Sequence, residues 1–180
     1  MKRMSLFALL MPAVANGAEC STIEIRSRHC DVQVRAGQLQ VPEDVRQRRV
    51  GDRLVLETDA DQATIQVPRV ALLIDLHAGD VDVQGVFREI ELRTASGDIK
   101  LDADAERVDI KTLSGDVRLE GAVADLDVEA ISGNLELRLR QVQTKRMRSQ
   151  TTNGSISLRS NPLPQSVDVQ TVNGIRELLR

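Results

Sequence analysis

Aromatic side chains are nearly missing from this chain of 180 residues, which has two Phe and neither Trp nor Tyr. Phe7 lies in an N-terminal segment with the marks of a cleaved signal, so Phe87 is the one aromatic left in the expected mature chain. Sites that grip sugars or single-stranded nucleic acid by stacking need aromatic faces, and composition argues against both. A basic excess is also missing. Lys plus Arg number 24 against 27 Asp plus Glu, a net charge of −3, so phosphate-backbone binding has no electrostatic footing and no nucleic-acid partner is expected. Long hydrophobic runs are absent beyond the first residues, and no segment of the mature chain is expected to cross a membrane as a helix. Cysteine and histidine are scarce, at two each, which leaves little for a metal centre or a nucleophile–base pair.

What is present begins with compartment. Residues 1–18 open with Lys2 and Arg3, continue as an apolar run from Ser5 to Ala15, and end in small residues, the layout of a secretory signal. The run is about a dozen residues, short of the roughly 20 that a spanning helix needs. Cleavage after Ala15 satisfies the Ala-x-Ala pattern through Ala13 and Ala15, and the alternative, cleavage after Ala18, would leave Glu19 and Cys20 at the new terminus. A soluble chain in the periplasm or outside the cell is expected. In that oxidising setting Cys20 and Cys30, ten positions apart, read as one disulfide fastening the mature terminus to the first strand. A metal site through Cys20, His29 and Cys30 would have too few ligands.

Self-similarity dominates the rest. The segments AGDVDVQG, SGDIKLDA, SGDVRLEG, SGNLELRL, NGSISLRS and NGIRELLR centre on Gly79, Gly97, Gly115, Gly133, Gly154 and Gly174, at intervals of 18, 18, 18, 21 and 20 residues. Seven and five positions before each glycine stand apolar pairs such as Ile90 and Leu92, and two and four after it pairs such as Ile99 and Leu101. Period-two alternation on both sides of a turn glycine describes two short strands, each burying one face. Ser149 and Arg176 alone break the pattern. Three before the glycine the slot is small or branched, as in Thr94, Thr112, Ala130, Thr151 and Thr171, which suits a narrow corner where a hydroxyl can bond backbone. The glycines themselves are expected at positive φ.

A unit of 18–21 residues cannot bury its apolar face alone, whereas stacked units bury all of them in one continuous core. The fold class expected is therefore all-β: a single-domain parallel β-solenoid over residues 19–180, taken as right-handed, with two short strands per coil and consecutive coils directly atop one another. A thin tube of Val, Ile and Leu also explains the missing rings. Residues 20–67 follow the grammar less faithfully. Ile23 and Ile25 with Val32 and Val34 put Cys30 where later units have glycine, and Leu54 and Leu56 with Ile65 and Val67 make a second degenerate unit. Between them, residues 36–52 are polar and read as an irregular cap or excursion. The cluster Arg46, Arg48, Arg49 and Arg53 is the one local positive patch, read as a solvated loop rather than an anion site.

The turns at Ser96 to Leu101 and Ser114 to Leu119, their relatives at Ser132 and Asn153, and the GDRLVLE stretch at Gly51 to Glu57 give the chain a resemblance to the bacterial putative-adhesin family, a β-solenoid domain family of unknown function. The resemblance covers most of residues 20–180 and implies an exported or envelope-attached protein, with no catalytic residues to carry over.

Few constellations could carry chemistry. Asp80, Asp98, Asp116 and Asn134 follow successive glycines and should form one column, which could offer oxygen ligands to Ca²⁺ or simply cap the turns by accepting backbone N–H groups. The second account is preferred, because the GGxGxD calcium-roll signature is absent, and no cofactor is expected. Paired carboxylates for glycoside cleavage would have to come from repeated slots, and Ser96, Ser114 and Ser132 have only His29 and His77 as bases. The reading is an exported, non-catalytic structural or interaction module of the bacterial cell envelope, with an envelope protein or surface glycan as partner. Its alternative is a carbohydrate-active enzyme or a calcium-dependent polysaccharide-binding β-helix. Leu178 and Leu179 near the chain end suggest homodimerisation through the C-terminal coil.

Overall fold

The computed structural model describes residues 20–140, 144–161 and 164–179. The expected signal segment, residues 1–18, lies outside them. Sixteen strands and no helix make up the described chain: β1 (Thr22–His29), β2 (Asp31–Ala36), β3 (Arg46–Val50), β4 (Arg53–Thr58), β5 (Gln62–Val67), β6 (Ala71–Ala78), β7 (Val81–Val86), β8 (Glu89–Ser96), β9 (Ile99–Ser114), β10 (Val117–Gly121), β11 (Val123–Ser132), β12 (Leu135–Leu139), β13 (Arg146–Asn153), β14 (Ile156–Ser160), β15 (Ser166–Asn173) and β16 (Arg176–Leu179). Each coil runs along one strand, turns a corner, which is a glycine from Gly79 onward, and returns along the next, so the strands stack into two facing parallel ladders. The first ladder holds β4, β1, β6, β8, the second half of β9, β11, β13 and β15. The second holds β5, β2, β7, the first half of β9, β10, β12, β14 and β16. The 16-residue β9 belongs to both because it bends around the far corner without losing its pairing.

Register is what the alternation predicts. Ile74, Leu92, Ile110 and Val128 stand in one inward column, and Val83, Leu101, Leu119 and Leu137 in the facing one, all buried in a single core. A column of branched aliphatics at rungs about 4.8 Å apart packs without gaps because each side chain sits on another of its own size. Phe87 is the exception in volume and is 0% exposed. It lies at the far corner, where its N–H donates to the Asp104 carbonyl at 2.9 Å and the slot on the following rung is the small Ala105. A ring fits where its stacked neighbour is a methyl group.

Ser149 occupies the inward column between Val128 and Val169, is 0% exposed, and its Oγ has no hydrogen-bond partner. A buried hydroxyl without a partner costs about 1 to 3 kcal/mol. Ser149→Val is therefore expected to raise stability by about 1 to 2 kcal/mol, read as a Tm increase of about 3 to 6 °C in a thermal melt. A lower Tm would show that the slot is too narrow for a second methyl group.

The N-terminal coils depart from the sequence reading in three ways. First, stacking there is not consecutive. The β1–β2 coil pairs with β4–β5 on one side and with β6–β7 on the other, so the first coil in sequence is the second in the stack. Thr22 faces both Arg53 and Ala71, and Ala71 N–H donates to the Ser21 carbonyl at 3.1 Å. Second, residues 36–52 are not irregular throughout. Arg46–Val50 forms an antiparallel hairpin with β4 through Gly51, at φ 62°, and Gln40 bridges Gln66. All five residues of β3 are exposed, so the strand carries no alternation to read. Third, Cys20 and Cys30 are free thiols, not a disulfide. They flank the fully extended β1, which at about 3.3 Å per residue holds them more than 20 Å apart, whereas a disulfide needs Cα atoms within about 7 Å. Ten positions in sequence is a short loop only if the chain turns between them. Cys30 does sit at the first corner, buried at the head of the glycine column, and burial beside Asp31 pushes its thiol pKa up.

Candidate functional site

The glycine corner is where the repeat concentrates its polar groups. Gly79, Gly97, Gly115, Gly133 and Gly154 take φ from 123° to 154°, while Gly174 lies outside that region. Stacking is as restrictive as φ. A Cβ built on Gly97, Gly115 or Gly133 would lie 2.1 Å from the carbonyl oxygen of the glycine one coil earlier, and on Gly174 it would lie 1.9 Å from that of Gly154. The corners therefore approach as bare backbone. Threonines of the slot close corners from inside: Thr94 donates to the Ser96 carbonyl at 3.1 Å and Thr112 to that of Ser114 at 3.2 Å within their own turns, and Thr171 reaches back one coil to the Gly154 carbonyl at 3.0 Å.

The residue after each glycine forms the expected column, and its role is to tie one rung to the next. Asp31 accepts the backbone N–H of Asp80 at 3.0 Å, Asp80 that of Asp98 at 2.8 Å, Asp98 that of Asp116 at 2.9 Å, and Asp116 that of Asn134 at 2.8 Å. Asn134 continues the ladder by accepting from Ser155 N–H at 3.1 Å. Asp104 repeats the device at the opposite corner, taking Ala122 N–H at 2.8 Å. Charge-assisted bonds of this kind are about twice as strong as neutral ones. Sequence reasoning placed the aspartates on turns but missed that each caps its neighbour's turn rather than its own; the signal available was the 18-residue recurrence itself. Among the described residues no three His, Cys, Asp or Glu side chains converge as a metal-binding group.

The nucleophile candidates do not assemble either. Ser114 donates to the Ala95 carbonyl at 3.3 Å, and among the described residues no hydrogen bond joins a histidine to Ser96, Ser114 or Ser132. His29 and His77 meet each other, edge to face with ring centroids 6.3 Å apart, on neighbouring coils. The arginine cluster is largely spent locally: Arg46 bonds Asp59 at 2.9 Å, Arg53 bonds Glu24 at 2.8 Å, and Arg49 donates to the Gly51 carbonyl at 3.3 Å. Glu24 is 2% exposed on the outer side of β1; burial alone would raise its pKa, but the bonds from Arg53 and Arg26 outweigh that and hold it below the usual carboxylate range. At the C-terminal coil, Arg176 fills an inward position and donates to the Val169 carbonyl at 3.1 Å, so its guanidinium lies across the mouth of the tube, beside the half-exposed Leu178.

The outer face of the first ladder carries an acidic column, Glu91, Asp109 and Asp127, beside a mixed one, Arg93, Lys111 and Glu129. Arg93 bonds Glu91 at 2.5 Å and Lys111 reaches Glu129 at 3.4 Å. Asp127 has a buried oxygen without a partner, and burial, then the charges of Glu129 and Asp109, push its pKa up. A raised carboxyl pKa favours folding only while the group is protonated: that contribution is complete below the unfolded value of about 3.9 and is lost as pH rises through the folded one. Asp127→Asn is thus expected to raise Tm by about 1 to 4 °C at pH 7, with the difference shrinking to nothing near pH 3, in paired melts across pH. An unchanged gap at low pH would show that charge is not the cause.

Comparison with known proteins places this geometry. No curated protein matches the chain. A solved structure that it resembles is a putative adhesin from Bacteroides fragilis, at a TM-score of 0.52 and 15% identity, covering 89% of this chain and 92% of that one, which is a likeness of fold. The family model described as Toastrack DUF4097 matches residues 21–176, most of the stacked coils and both corner columns, and the chain belongs to that family.

Proposed function

We propose that this protein is an exported, non-catalytic interaction module of the bacterial cell envelope, a stiff rod that presents repeated side-chain rows to an envelope protein or a surface glycan. The observation that carries the reading is the fate of the polar groups. The aspartates that could have held a metal or attacked a sugar are ladder acceptors, each one bonded to the next coil's backbone. Catalytic sites bring unlike groups together at one point, whereas here like groups repeat at even spacing along a line. The N-terminal segment with Lys2, Arg3 and the run to Ala15 supports export, and the resemblance in fold to a protein described as a putative adhesin agrees with a surface role.

The test is fractionation of cells producing the full chain with a C-terminal tag, together with incubation of the purified protein with isolated cell envelopes. The expected result is a processed chain, shortened by 15 or 18 residues in mass, that co-sediments with envelopes and releases no soluble sugar. A full-length chain in the cytoplasm would overturn export. Sugar release abolished by Asp98→Ala or Asp116→Ala would overturn the non-catalytic reading in favour of a carbohydrate-active enzyme.

A further inference from the structure

One row of the outer face is aliphatic and exposed. Leu113 and Ile131 precede their corner glycines by two positions, lie on adjacent rungs of the first ladder, and are 55% and 51% exposed. Exposed aliphatic side chains that adjoin one another, rather than standing singly, mark a surface that can meet another protein. The row has a second property. Read along the stack it runs Ala95, Leu113, Ile131, Thr152, that is small, large, large, small. Beside it, on the same rungs, run Arg93, Lys111, Glu129 and Gln150, with Lys111 and Glu129 of opposite charge at the centre.

A row that reads the same from both ends in size, with opposite charges at its middle, is what a two-fold contact requires, because residue i must meet j while j meets i. We propose that this face docks a second copy of the chain, antiparallel, about an axis between the Lys111 and Glu129 rungs. The axis places Leu113 of each copy against Ile131 of the other and Ala95 against Thr152. It also sets Lys111 of each copy opposite Glu129 of the other, so the two intrachain pairs become one alternating cluster of four charges. The same operation sets the exposed Val172 over His77 at both ends of the row. The contact is a stripe, narrower than the roughly 800 Å² per partner of a tight complex, so the expected dimer is a weak one, with Kd in the micromolar range. This self-association goes beyond the envelope docking proposed above and stands or falls apart from it.

The test is sedimentation of the purified chain from about 5 to 500 μM, alone and as charge variants. Lys111→Glu and Glu129→Lys each place like charges opposite one another twice, and each variant alone is expected to stay monomeric across the range. Mixed in equal amounts they restore both pairs across the axis while leaving each chain's own pair broken, and a heterodimer should form. A single cooperative melt for each variant establishes that folding is not at issue, since both substituted side chains are largely in solvent, at 49% and 38% exposure. The inference is overturned if the native chain is monomeric at 500 μM, or if its dimer survives both single variants. It is also overturned if the dimer is lost in Leu178→Asp but kept in Leu113→Asp, which would assign the contact to the C-terminal coil.

Discussion

Gly115→Ala should abolish folding or cost more than about 4 kcal/mol, most of the stability of an ordinary domain. Two costs add. The backbone stands at φ 128°, where a side chain is strained by about 1 to 3 kcal/mol, and the new methyl carbon would fall 2.1 Å from the Gly97 carbonyl oxygen. Neither party to that clash can rotate away, because both are backbone held by ladder bonds above and below. Gly51 supplies the control. Its φ of 62° is also positive, but nothing lies within 4 Å of a Cβ built there, and it sits in the exposed hairpin turn between β3 and β4. Gly51→Asn should change stability by less than about 0.5 kcal/mol, since asparagine tolerates that region. Soluble expression and Tm of the pair decide the matter. A Gly115→Ala protein melting within about 2 °C of the parent would mean that the coils are not held at this spacing.

Phe87→Ala is expected to cost about 3 to 5 kcal/mol, a fall in Tm of roughly 10 °C or more. The ring is fully buried at a corner where the next rung holds the small Ala105, so its loss leaves a void. Phe87→Leu, which keeps most of the volume, should lose less than half as much. Stability in a stacked rod is a sum of rung terms and nearest-neighbour terms, so the damage should be local. Hydrogen exchange should quicken in β7, β8 and the first half of β9 while β12 to β14 keep their protection. Uniform loss of protection along the rod would show instead that the coils melt as one unit.

These two positions also show what the sequence made legible. The period-two alternation around Gly97, Gly115 and Gly133 determined strand, corner and inward face together, because a glycine that must both turn and stack leaves a fixed interval behind it. The same register sets Arg118 level with Glu136, and the two bond at 2.9 Å, whereas Asp82, level with Lys100 on the next rung, accepts from Gln84 at 3.1 Å instead. Stacking sets which residues are neighbours but not which of two neighbours a flexible side chain chooses. Order among the first coils was not legible, since any coil with Ile or Val inside can sit on any other, and the pattern at Ile23 and Ile25 carries no label of its neighbour. Strand β3 left no trace because it buries nothing. The interface row was visible as letters, in Leu113 and Ile131, but became a surface only when the register put them side by side.

The displaced first coil bears on how the rod comes apart under load. A chain drawn by its N-terminus does not peel from the end of the stack. Tension on Thr22 pulls on a strand gripped by β4 on one flank and β6 on the other, so two rows of hydrogen bonds must shear at once rather than open one by one. The leading end of the molecule is thereby wedged, and the rod should resist extraction from that side more than from the other, where β15 and β16 are each held along a single edge.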